Sequence, residues 1–164
     1  MSATFGLSLI IAMLEILAMA GFAWAGGSEV FQQNCATCHQ SNAEGVVGLY
    51  PPLADSIGRY VLIPKGRAYL VSVVSFGMMG TITVHGEQFD GMMQPWQSLS
   101  DQKVADVLNF VLTRYNAKLL PSGFTPFTAD EVKKDRAANI AMGNMLKERE
   151  ALMKSLAAHH VAIP

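Results

Sequence analysis

The chain has two cysteines among its 164 residues, and both fall in the run Cys35-Ala36-Thr37-Cys38-His39. Two thiols three positions apart, with an imidazole directly after the second, form the spacing that attaches a c-type haem through two thioethers. A disulfide between the same two residues would close a small strained ring and leave His39 without a role. A redox dithiol needs neither the histidine nor its adjacency. A zinc site would need more ligands from His39, His85, His159, His160 or a carboxylate, and no second pair stands at zinc-finger spacing. The residues therefore read as one covalently attached haem c, with His39 as the proximal ligand of its iron.

The second axial position decides what such an iron does. The run Gly91-Met92-Met93-Gln94-Pro95-Trp96 offers a thioether, and methionine opposite histidine makes a six-coordinate electron carrier of raised potential. An open sixth site would instead suit a haem enzyme or a gas-binding cytochrome. A peroxidase or nitrite reductase with a second haem would need a second Cys-x-x-Cys-His, which is absent. The proton on the other nitrogen of His39 also needs an acceptor, which sets the tautomer and raises ligand basicity. The loop ending in Pro51-Pro52-Leu53 can supply a backbone carbonyl. His85 sits in a glycine-rich stretch, and His159 and His160 close to the C-terminus, where solvated histidines are ordinary.

Holding these groups requires a scaffold, and the sequence predicts helices. Ser28 is a plausible N-cap for a short helix that leads into the cysteines, with Glu29 in its first turn and Val30 and Phe31 on its buried side. Gly45 to Leu53 reads as a loop. Pro64 can open a helix through about Ser75, with Leu70, Val73 and Val74 inside and Gly77 ending it. Gly80 to Trp96, with three glycines and a proline, reads as a second long loop that would carry function. The strongest periodicity follows: Ser100 caps a helix in which Val104, Val107, Leu108, Val111, Leu112 and Tyr115 share one face. No strand-like alternation long enough for a sheet stands out, so the expected class is all-α.

Two extensions flank this core. Phe5 to Ala25 is almost wholly apolar, and its 21 residues would reach about 30 Å as a helix, one hydrocarbon thickness. Residues 1–25 thus read as a membrane anchor helix or, given Ala23-Trp24-Ala25 before Gly26, a cleaved secretory signal. Glu15 opposes spanning, at about 3 kcal/mol on insertion scales. Either reading carries the rest of the chain across a membrane. Residues 118–164 read as a connector and one C-terminal amphipathic helix, opened by a capping box of Thr128 with Glu131 and running to about His159. Ala138, Ala141, Met142, Met145, Leu152, Met153 and Leu156 form a stripe broken near Arg149. A methionine-rich amphipathic face suits docking to a partner, and folding over its own domain is the ordinary alternative. The net charge of −1 supplies no basic field for nucleic acid or an anionic membrane surface.

In these features the chain resembles the class I cytochromes c, over residues 27–117. Gly27 and Phe31, eight and four residues before Cys35, are similar to the pair that packs the family's first helix across its last, with Phe110 as counterpart. Pro51, twelve residues after His39, resembles the proline whose carbonyl accepts the proximal histidine's proton. Met93, aligned through Pro95-Trp96, resembles the distal ligand, although the family usually has methionine directly before proline and Met92 is an adjacent competitor. The spacing of Arg59 from Pro51 resembles that of an arginine on a haem propionate, with a solvated charge the alternative, and Trp96 would pack beside the haem or in the core. The resemblance implies a three-helix haem fold and one-electron transfer between respiratory proteins. It also implies haem attachment on the outer, periplasmic side of the bacterial inner membrane. With the two extensions it favours a membrane-tethered subunit that serves a respiratory or dehydrogenase complex.

Overall fold

The computed structural model describes residues 26–161; the expected anchor or signal over 1–25 lies outside them. The chain is helical from 26 to 34, here α1, and again over α2, Ala36–His39. The expected cap at Ser28 is not one, because residues 26 and 27 are already helical. A 3-10 turn, Gly58–Leu62, precedes α3, Pro64–Phe76, which starts on its proline and ends at Gly77 with φ 73°. Helix α4, Asp101–Tyr115, is capped by the Ser100 hydroxyl, which accepts from the Lys103 N–H. Its stripe is inside as predicted: Val104, Val107, Leu108, Val111 and Leu112 are all buried, each worth about 1.5–3 kcal/mol.

Helix α1 crosses α4 at their closest residues. A Cβ on Gly27 would collide with the Asp106 carbonyl oxygen, so only glycine permits this approach. Phe31, fully buried, packs its ring 5.7 Å from Phe110 and 5.6 Å from Tyr115. The two ends of the haem-motif region are thereby locked together.

The chain is mostly helical, as expected, but the loop expected from Gly80 to Trp96 is corrected: a two-stranded sheet joins the helices. Met78–Val84 (β1) and Glu87–Met93 (β2) pair as an antiparallel hairpin. The tip is His85-Gly86, with φ 52° and 82°. Positive φ at both central residues is the two-residue turn whose twist matches that of the strands. Burial alternates along β1 as a strand requires, but glycines and methionines diluted that signal in the sequence. Met78 and Met79 open strand β1.

The C-terminal helix is also corrected. It is two helices, α5, Ala129–Arg136, and α6, Met145–Ala158, separated by a link that contains Asn139 at φ 44° and a 3-10 turn. The Thr128 hydroxyl accepts from the Glu131 N–H as expected of a capping box. The Glu131 carboxylate, however, leaves the cap and grips Arg67 at 2.6 and 2.7 Å.

Docking of this tail to a partner gives way to the ordinary alternative. Val132, Met145, Leu152 and Leu156 are fully buried in the same core as Phe31, Leu70 and Leu112. Arg67 fastens the connector as well, with its guanidinium 3.9 Å from the centre of the Phe127 ring and a hydrogen bond to the Thr125 carbonyl. Replacing Arg67 by alanine should cost about 2–3 kcal/mol in denaturant unfolding, from the lost bidentate pair and ring contact. Deletion of residues 121–164, which would strip the core, should leave no cooperative unfolding transition.

Candidate haem-binding site

The turn from α1 into α2 places both cysteines. The Cys35 N–H donates to the Phe31 carbonyl at 2.9 Å, and the N–H groups of Cys38 and His39 return to the Cys35 carbonyl at 3.2 and 2.9 Å. Cys35 and Cys38 therefore lie on one face, a single helical turn apart. Both thiols are free and half-buried. The Cys35 thiol is pushed up to about 11, by burial first and then by Cys38. A redox dithiol works through a free thiolate, and the burial of Cys35 disfavours one.

After Gln40 the chain doubles back. The Gly45 N–H donates to the His39 carbonyl at 2.9 Å, and Val46 and Tyr50 pair as an isolated bridge. The return brings the Pro51 carbonyl oxygen 2.9 Å from Nδ1 of His39. A carbonyl only accepts, so Nδ1 carries the proton and the lone pair lies on Nε2. His39 is buried, and burial lowers its pKa, partly opposed by the bond to Pro51. The neutral imidazole is thus favoured, which is the form that binds a metal. Two facing thiols beside a neutral imidazole with a free Nε2 fit a covalently held haem.

On the distal side the hairpin separates the two candidate methionines. Met93 pairs with Met78 and Met92 with Met79. Cross-strand partners share a face and neighbours alternate, so Met93 and Met92 point to opposite faces. Met92 and Met79 are exposed, at 64% and 49%. Met78 packs against the core and its Sδ accepts from the Tyr69 hydroxyl at 3.6 Å. The Met93 end is held on α3: a Cβ at Gly77 would collide with the Met93 carbonyl oxygen, and the Trp96 N–H donates to the Val74 carbonyl at 3.0 Å. Trp96 is half-buried against the core. Arg59 lies in the 3-10 turn, half-buried, and takes part in no ion pair among the described residues.

The family model for cytochrome c matches residues 24–114. Cytochrome c-552 of Thermus thermophilus is 38% identical over 142 residues, spanning 85% of this chain and 95% of the relative. The chain belongs to the cytochrome c family. Membership implies a covalently bound haem c and electron transfer rather than catalysis at the iron. More partial matches include the cytochrome c subunit of a quinone alcohol dehydrogenase from Gluconobacter oxydans, 39% identical over 52% of this chain and 17% of that one. A cbb3-type cytochrome c oxidase subunit from Azospirillum is 46% identical over 24% of this chain and 13% of that one.

One residue central to this cytochrome's site region escaped the sequence reading. Asn116, fully buried at the end of α4, accepts through Oδ1 from the N–H groups of Ser56, Ile57 and Gly58 at 3.0–3.1 Å. Its Nδ2 donates to the carbonyls of Leu53 and Val111 at 2.9 and 3.1 Å. The segment that follows Pro51 thus hangs on one amide. The only hint was an asparagine at a helix end, where capping is the usual reading. Asn116→Ala should cost about 4 kcal/mol in denaturant unfolding, since it strands three N–H groups, two of them buried. Asn116→Asp, which keeps the acceptor and loses both donations, should cost less than the alanine variant.

Proposed function

We propose that this cytochrome carries one haem c, with His39 and Met93 as axial ligands, and passes single electrons between respiratory redox proteins. The observation that carries the reading is the bond from His39 Nδ1 to Pro51, which leaves the lone pair on Nε2 of a histidine that directly follows two free thiols. Bound there, the haem iron supplies a ferrous–ferric couple that takes up and releases one electron. Cys35 and Cys38 hold the group, and His39 gives it a fixed ligand of raised basicity. Met93 is favoured over Met92 because its partner Met78 faces the core, whereas Met92 shares the exposed face with Met79. Arg59 is assigned to a haem propionate and Trp96 to packing beside the macrocycle. A filled sixth position excludes substrate from the iron, which argues against the enzyme or gas-binding alternative.

The partners assigned are an electron donor and acceptor within a membrane dehydrogenase or oxidase system. This class is supported by the partial relatives, a dehydrogenase cytochrome subunit and an oxidase subunit. The assigned location is the periplasmic side of the bacterial inner membrane. Residues 5–25 are assigned as the tether, supported by their apolar sequence. Among the described residues no helix is long and apolar enough to cross a membrane. Mass spectrometry of the mature protein should find the N-terminus ahead of Gly26; a start at Gly26 sinks the tether.

A pyridine haemochrome assay should return one haem c per chain. The ferric protein should display the near-infrared charge-transfer band of methionine ligation. Met93→Ala should lose that band and let the ferrous form bind carbon monoxide rapidly, while Met92→Ala should keep the band. Loss of the band in the Met92 variant alone reverses the ligand assignment. Rapid carbon monoxide binding by the unaltered protein overturns the carrier reading.

A further inference from the structure

The tail of this cytochrome lies along the first strand of the hairpin that bears Met93. A Cβ on Gly77 would meet the Met142 Cε at 2.9 Å, and one on Gly80 would meet the Leu146 Cδ2 at 3.2 Å, so both side chains lie directly over the hairpin backbone. Arg149 continues the row: its Nη2 donates to the Thr83 carbonyl at 2.8 Å. Residues 142, 146 and 149, spaced by four and three, meet residues 77, 80 and 83 in the same order. Strand β1 has a strand neighbour on one side only, so its other edge leaves backbone groups in need of partners.

Arg149 is also linked to the base of the hairpin through two tyrosines. Its Nη1 donates to the Tyr60 hydroxyl at 2.8 Å. The Tyr60 ring packs edge-on to Tyr69, with centres 6.1 Å apart, and the Tyr69 hydroxyl donates to Sδ of Met78, the cross-strand partner of Met93. Arg149 is only 7% exposed, and among the described residues it forms no ion pair. A cation buried against neutral oxygens adds little net stability over an apolar side chain. Its two directed bonds to separate elements add a fixed geometry.

We propose that Arg149 is a positioning residue for the sixth ligand: from the C-terminal helix it clamps the hairpin and so keeps Met93 on the iron. The proposal rests on Met93 as ligand. Opening of the clamp would let the methionine sulfur–iron bond break and an external base take its place, with no change in oxidation state.

The test uses the full-length ferric holoprotein and imidazole, which binds the iron only after the methionine has left. R149A should bind imidazole about tenfold faster than the unaltered protein, the equivalent of about one lost charged hydrogen bond. R149K should recover part of the difference, and Y60F, which keeps the bond to Thr83, should show a smaller rise. V132A is the stability control, because α5 packs on α3 and α4. It should lower Tm and leave the imidazole rate unchanged. The clamp is overturned if R149A, or Y60F and R149K where R149A does not fold, binds imidazole at the unaltered rate. It is equally overturned if V132A accelerates binding as much as R149A for the same loss of Tm. An unaltered protein without the near-infrared methionine band overturns the ligand assignment itself, and this proposal with it.

Discussion

A histidine can be taken out of water at small cost only when its polar nitrogens have partners, and His39 is 7% exposed. The Pro51 carbonyl accepts the hydrogen bond from Nδ1 and leaves the lone pair on Nε2, so the chain must bring a backbone carbonyl to one point. The loop does this by turning on itself. The Gly45 N–H returns to His39, Tyr50 pairs with Val46, and the N–H groups of Leu53 and Ala54 both close on the Ala43 carbonyl at 2.9 Å. Beyond Leu53, Asn116 holds the next three N–H groups. The position of Pro51 is thus fixed from both directions, by the haem-motif turn on one side and by the end of α4 on the other.

The distal side obeys a different rule. No single bond orients Met93; its direction follows from strand register. Because Met78 and Met93 are partners, the burial of Met78 against the core sets the face of Met93. A slip of one residue would exchange Met92 for Met93. Register is held by the tight tip at His85-Gly86, by Gly77 against the Met93 backbone, and by the tie from Trp96 to Val74. Met92, adjacent to the proposed ligand, belongs to the opposite face.

How much of this was legible depends on whether the signal was local. Cys35, Cys38 and His39 announce themselves by type and spacing, Pro51 through the family resemblance, and α3 and α4 by caps and periodicity, because each is specified within a few turns of chain. The hairpin was hidden since its alternation is carried by methionine, threonine and glycine, which mark strands weakly, and its tip is His-Gly rather than a commoner turn pair. The break between α5 and α6 was hidden because Asn139 and Gly143 are single residues within an otherwise helical composition. Asn116 could not be found at all: its partners are about 60 residues away, and nothing in the sequence specifies that distance.

In the tail the amphipathic pattern is legible in the sequence, but what covers it is not. An apolar stripe states that a face will be covered, never by what. The broken place in the stripe, Arg149, held the better clue. A charged residue in the middle of an apolar face is either a solvated edge or a buried group with dedicated acceptors. On a helix that docked to a separate protein, those acceptors would have to come from that protein. Here the Tyr60 hydroxyl and the Thr83 carbonyl supply them from within the chain. A leucine at the same position would fill the space and leave both oxygens without this donor. The arginine is consistent with a tail whose task is to fix the hairpin's place relative to α3, beyond covering apolar surface.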